Sequence, residues 1–112
     1  MTLKRYLTEM GMGVDVHGKN YTKAATRAVS DAIRHSSINF FSAIGKTPDE
    51  MKITVKIGAP EPELVNKDDV AKALPFGKIN VEITKGGLEI QNEFGEDAII
   101  IANAAVIVFF EE

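Results

Sequence analysis

The sequence predicts an α+β fold: a two-layer sandwich in which a mixed sheet of about five strands carries two helices on one face. Three observations lead there. Apolar residues alternate with period two in several segments, and between those segments they recur at helical spacing. The resulting order is strand, helix, strand, helix and then three strands (β-α-β-α-β-β-β), and two helices are too few to cover both faces of five strands. The length of 112 residues suits one domain, residues 1–112, with one core.

The elements follow in order. Residues 9–17 alternate, with Met10, Met12, Val14 and Val16 on one face and Glu9, Gly11, Gly13, Asp15 and His17 on the other. Tyr6 and Leu7 break that pattern, so the strand starts near Leu3 or only near Tyr6. Gly18 ends it. Asn20 or Thr22 can cap the helix that follows, and Ala25, Ala28, Val29, Ala32 and Ile33 form its narrow apolar stripe. Side chains this small let a helix lie close to a sheet. On its other face Arg27 and Asp31, four apart, read as a charged and solvated surface. The helix is expected to end near His35 to Ser37, where a histidine suits the C-terminal dipole.

Met51, Ile53, Val55 and Ile57 alternate with Lys52, Thr54 and Lys56 in the clearest strand of the chain. Pro60 and Pro62 then make a stiff loop. Asn66 caps a short second helix with Asp68 and Asp69 in its first turn, and Pro75 stops it. Ile79, Val81 and Ile83 define a third strand. Lys85-Gly86-Gly87 reads as a hairpin turn into a strand beginning with Leu88 and Ile90. The last strand, Ala98 to about Phe110, is apolar on both faces except at Asn103, which places it centrally and calls for cover on its second face. A further copy of the chain is the economical cover, so a homo-oligomer is expected. The alternative is that the apolar tail Ile38 to Ile44 folds over that face.

Composition narrows the function classes. Hydrophobic residues make up 45% and charged residues 26%, which excludes a disordered tail, a collagen-like fibre and a coiled coil. With no cysteine there is no disulfide scaffold, thiolate metal site or cysteine nucleophile. A net charge of −3 gives no support for nucleic-acid binding. No apolar run is long enough for a spanning helix, and residues 1–9 do not read as a signal peptide. The expectation is a cytoplasmic protein that contacts neither membrane nor nucleic acid.

Gly11-Met12-Gly13-Val14-Asp15-Val16-His17-Gly18 is the segment that carries chemistry. In an extended strand Asp15 and His17 point the same way, about 7 Å apart. Gly11 and Gly13 leave that face bare, so a ligand or another backbone can approach closely. Glu9 stands at the far end of the row. Three functional readings follow. Asp15 and His17 could supply two ligands to a divalent metal, completed by Glu9, water or a partner chain. Asp15 could instead orient His17 as a catalytic general base. Or Gly11, Gly13, Gly18 and the helix start could hold an anion, assisted by Thr22, Lys19 or Lys23. The segment is neither the dinucleotide fingerprint, because Val16 stands where its third glycine would fall, nor a Walker loop. Set against all three is the reading in which the segment is a fold-critical turn of a non-catalytic oligomeric protein.

The segment resembles the Gly-x-Gly-x-Asp-x-His-Gly signature of a small family of conserved hypothetical proteins, found in scattered bacteria and in plants. The likeness continues through Thr22-Lys23-Ala24-Ala25, Arg27-Ala28, Asp31-Ala32-Ile33, Pro75-Phe76-Gly77, Gly86-Gly87-Leu88 and Ala102-Asn103-Ala104-Ala105-Val106. The resemblance brings no substrate, cofactor or reaction. It implies that Gly11, Gly13, Asp15, His17 and Gly18 are the characteristic positions.

Overall fold

The computed structural model describes residues 2–34 and 43–112. The expected helix end at His35 to Ser37 and the apolar tail from Ile38, up to residue 42, lie outside the described residues. Five strands form one mixed sheet: β1 (Leu3–Asp15), β2 (Lys52–Ala59), β3 (Lys78–Lys85), β4 (Leu88–Gln91) and β5 (Ala98–Glu111). Two helices, α1 (Tyr21–Arg34) and α2 (Lys67–Ala71), lie on one face of it. The order and the α+β class are those the sequence predicts.

Doubly apolar β5 is central. One of its edges carries β1, antiparallel from Leu3 opposite Glu111 to Asp15 opposite Ile100. Its other edge carries β2 antiparallel over residues 103–109 and then β4 antiparallel over residues 98–101. The parallel pairing of β2 with β3 completes the sheet. Strands of 13 and 14 residues set the long axis of a slab measuring 55 × 23 × 18 Å. A register shift between Arg5 and Leu7 places a bulge at Tyr6, which explains why alternation fails there. The Tyr6 ring stands edge-on to Phe110, centroids 5.4 Å apart.

The core lies between the sheet and the helices. Ala24, Ala25, Ala28, Val29 and Ala32 of α1 are fully buried against Ile100, Ala102 and Ala104 of β5 and Val55 of β2. Asn20 is the cap of α1: its carbonyl accepts from the Ala24 N–H at 3.2 Å and its side chain from the Lys23 N–H at 2.9 Å. In the same way the Asn66 side chain accepts from the Asp69 N–H to start α2.

Lys85-Gly86-Gly87 is not a hairpin turn, because β3 and β4 do not pair. β2 leaves the edge of β5 after Gly58, and β4 takes over its place two positions further along β5. To get there from β3 the chain must cross the end of β2. Gly86 crosses Gly58 so closely that a Cβ on Gly86 would lie 3.1 Å from the Gly58 Cα, and the Gly86 N–H donates to the Ala59 carbonyl at 3.0 Å. The paired glycines therefore serve a backbone crossing. The hairpin lies one step later, in the β4–β5 connection, where the Asn92 N–H donates to the Asp97 carbonyl at 2.9 Å.

No described helix is long and apolar enough to cross a membrane.

Candidate functional site

Strand β1 presents its glycines to α1, and this changes the meaning of the signature. A Cβ on Gly11 would lie 2.4 Å from both the Ala28 carbonyl oxygen and the Ala32 nitrogen. One on Gly13 would lie 2.1 Å from the Ala24 oxygen and 2.3 Å from the Ala28 nitrogen. The bare face is thus filled by the helix backbone and forms no open groove for a ligand. The glycines of β1 and the alanines of α1 are two halves of one close contact.

The consequence for the other face is a reversal. Met10 and Met12, which alternation assigns to the core, are 67% and 52% exposed on the outer side of the sheet. Period two separates the two faces of β1 correctly, but hydropathy names the wrong one as buried. Between glycine and alanine the buried face carries almost no side-chain volume.

Asp15 is the buried polar residue of this contact, 2% exposed at the end of β1. Its Oδ2 accepts from the Asn20 N–H at 3.0 Å, and its Oδ1 lies 3.9 Å from Lys23 Nζ and 3.7 Å from Arg27 Nη1. It ties the first turn of α1 to the sheet. Further along, α1 side chains satisfy the open edge of β1: Arg27 Nη1 donates to the Val14 carbonyl, and Asp31 Oδ2 accepts from the Met12 N–H at 3.0 Å. Arg27 and Asp31 are therefore strand-edge partners in place of a solvated pair, and Asp31 also meets Arg34 at 3.4 Å. Over Met12 to Val14 these bonds shield the edge from pairing with another strand.

His17 belongs to a different neighbourhood. The strand ends at Asp15 and the chain bends at His17 and Gly18, so Asp15 and His17 share no face. The His17 side chain is 87% exposed, and its Nδ1 lies 3.4 Å from Oδ2 of Asp97. Asp97, at the foot of the β4–β5 loop, also accepts from the Gly18 N–H at 3.1 Å and from the Ala98 N–H at 2.8 Å. The Ala98 and Gly18 amides, with His17 adding to them, hold its carboxyl below the ordinary 3.8. Asp97, not Asp15, is the acid that orients the imidazole. Nothing local marks it: it is one acid among Glu93, Glu96 and Asp97 in a polar loop, 80 positions from His17, and only the fold brings the two together.

Beside this pair is an open depression of ≈ 290 Å³, lined by Val16, His17, Ile90, Asp97 and Ile99 among others. The remaining candidates lie elsewhere. The Thr22 hydroxyl donates to the Leu64 carbonyl and accepts from the Asn66 N–H at 2.9 Å, which pins α1 to the start of α2. Lys23 turns to Asp15. Three of the amides around the start of α1 are engaged by the chain's own side chains: Gly18 N–H by Asp97, Asn20 N–H by Asp15 and Lys23 N–H by Asn20. Asp15 and His17 do not converge as metal ligands, and among the described residues no three of His, Cys, Asp or Glu are grouped to hold a metal ion.

One further polar contact escaped the sequence reading. At the start of α1 the buried Tyr21 hydroxyl donates to Glu89 Oε1, and Glu89 also accepts from Gln91 Nε2 at 2.8 Å. That bond, burial and the charges of Glu89, Glu61 and Glu63 push the phenol up to about 12. Glu89 thereby ties β4 to the first turn of α1, on the opposite side of the sheet from the depression.

Comparison with known proteins agrees with this fold. The chain is 39% identical to an FtsZ-like protein of unknown function from Nostoc punctiforme PCC 73102. The match to that crystal structure covers 100% of this chain and 99% of the other, with a TM-score of 0.89. No curated protein matches. The model of a conserved hypothetical protein family, Lin0512_fam, matches residues 5–108, and the chain belongs to that family.

Proposed function

We propose that the chain binds a small, uncharged, largely apolar molecule in the depression beside His17, with the imidazole as its proton-accepting contact. The observation that carries this reading is the His17–Asp97 pair. A carboxylate anchored by two backbone amides faces Nδ1 of a largely exposed imidazole. A proton on Nδ1 leaves the lone pair on Nε2, which makes the ring an acceptor for a hydroxyl group or a water. This is also the arrangement a general base needs. The lining supplies the rest: Val16, Ile90 and Ile99 offer apolar surface. An anion is the poorer fit, because the Asp97 carboxylate stands beside His17 and already takes the Gly18 amide. At ≈ 290 Å³ the depression sits at the small end of ligand pockets, which run from about 300 Å³. The signature thus divides. Gly11, Gly13 and Asp15 seat the helix, and His17 and Gly18 shape the site.

Ligand-observed NMR with a panel of neutral hydroxyl- and carbonyl-bearing heterocycles tests the reading. Compounds that bind the wild type are expected to lose binding to His17→Ala, while the unfolding midpoint of the variant stays unchanged. Acid provides a second check. Because the Asp97 carboxyl is depressed in the folded chain, its bonds to the amides stabilise the site above the ordinary value of 3.8 and are lost as pH falls through the lower folded value. Folding stability, read by urea unfolding, should therefore carry the Asp97 contribution in full at neutral pH and lose it as pH falls from that ordinary value through the folded one. A panel without a single binder, or binders that His17→Ala retains in full, would sink the proposal.

A further inference from the structure

We infer that the outer face of the sheet is a docking surface for another copy of this chain. The face has two unlike halves. On β2 and β3 its outward positions are polar, Lys52, Thr54 and Lys56 beside Lys78, Asn80 and Glu82, as expected of a surface facing water. On β1, β5 and β4 they are apolar. Met10, Met12, Ile99, Leu88 and Ile90, with Val16 just past β1, are between 43% and 67% exposed. The register joins them into one patch. Val14 lies opposite Ile101, Ile101 lies opposite Leu88, and Ile99 lies opposite Ile90, so the patch runs unbroken across three strands.

Its size calls for an occupant. Six large side chains exposed to this degree leave roughly 600 Å² of apolar surface in water, the upper end of the largest patches on monomers. One partner of a stable interface contributes roughly 800 Å², so the patch with a modest rim suffices. Its chemistry points to a second copy. From Thr8 to Val14 and from Ile99 to Ile107 no outward position is charged, so the patch meets its own image without repulsion. The exposed polar residue in the middle is Asn103, opposite Met12. An amide is both donor and acceptor and can pair with the same amide of another copy, which a carboxylate or an ammonium cannot do. An anionic lipid surface is a poor alternative, because the loop beside Ile90 and Ile99 carries Glu93, Glu96 and Asp97, which would meet its headgroups with like charge. The depression beside His17 shares Val16, Ile90 and Ile99 with this face, so a docked copy would lie along its rim. The docking surface itself does not depend on the ligand reading.

The test is solution mass, by light scattering on a sizing column and by sedimentation velocity, with no ligand added. The wild type is expected at twice 12.2 kDa or a higher integer multiple. Met12→Glu and Ile99→Glu, each checked for folding by circular dichroism, are expected to fall to the monomer mass, while Lys56→Glu on the polar half keeps the wild-type mass. Should both apolar variants fail to fold, Asn103→Asp decides, since it only adds like charges across the contact: dissociation supports the inference and an unchanged mass overturns it. A wild type that is monomeric at its highest soluble concentration also overturns it, as does a folded Met12→Glu that assembles undiminished. A ligand site that fails while the assembly holds leaves this inference standing, and the mass readout separates the two.

Discussion

Gly13→Ala is expected to destabilise the chain by about 4 kcal/mol or more, a large part of the roughly 5–15 kcal/mol available to a domain. One methyl group does this because of what it meets. The added carbon would stand 2.1 Å from the Ala24 oxygen and 2.3 Å from the Ala28 nitrogen. Both are backbone atoms inside a helix, so neither can rotate aside as a side-chain tip would. The helix must lift as a body, and lifting it opens the layer of Ala25, Ala28 and Ala32, all fully buried. Overpacking in ordinary cores costs about 1–3 kcal/mol because side chains share the strain; here no side chain is available to share it. Lifting α1 also draws the Asn20 N–H away from Asp15, leaving that buried carboxylate short of a donor. Urea unfolding measures the loss. A change within about 1 kcal/mol would show that the contact between β1 and α1 is looser than the distances require.

Gly87→Ala is the second large effect, expected at about 3–5 kcal/mol, with two causes that add. Gly87 has φ +65, where a Cβ costs about 1–2 kcal/mol in local strain. A Cβ there would also stand 2.0 Å from the Ile101 carbonyl oxygen, on the central strand. Gly95 separates the causes. It has φ +72 in the β4–β5 loop, and an added Cβ meets nothing within 4 Å. Gly95→Ala should therefore show only the local strain, about 1–2 kcal/mol. Equal losses at the two positions would mean that Gly87 is not tightly packed against Ile101 of the central strand.

Those glycines also show what was legible in the sequence. The elements and their order followed from period, caps and prolines, because each of those signals is local. Small residues on α1 correctly announced a close approach to the sheet. Alternation in β1 separated its two faces, but a hydropathy rule assigns the methionine face to the core. The true core face is glycine, whose contribution is room for another backbone and which no transfer scale rewards. Gly86-Gly87 failed for a related reason. A double glycine reads as a turn when only neighbours in sequence are weighed, whereas its role depends on Gly58, 28 positions earlier than Gly86. The candidate site was half legible: His17 stood out as a histidine at the end of an unusual segment, but its acid was assigned two residues away in place of 80. That assignment assumed that the strand continued to His17, and the bend after Asp15 removes it.

Asp15 and His17, neighbours in the signature, serve different ends: one holds the helix on the sheet and the other faces the solvent-side depression. Urea denaturation of Asp15→Ala and His17→Ala, each alone, tests this most directly. Asp15→Ala is expected to lose about 2–3 kcal/mol, from an orphaned Asn20 amide and the lost contacts of Lys23 and Arg27. His17→Ala is expected to stay within about 0.5 kcal/mol of the wild type, as a largely exposed side chain should. Equal losses, or a greater loss at His17, would contradict this division and return the two residues to a single shared role.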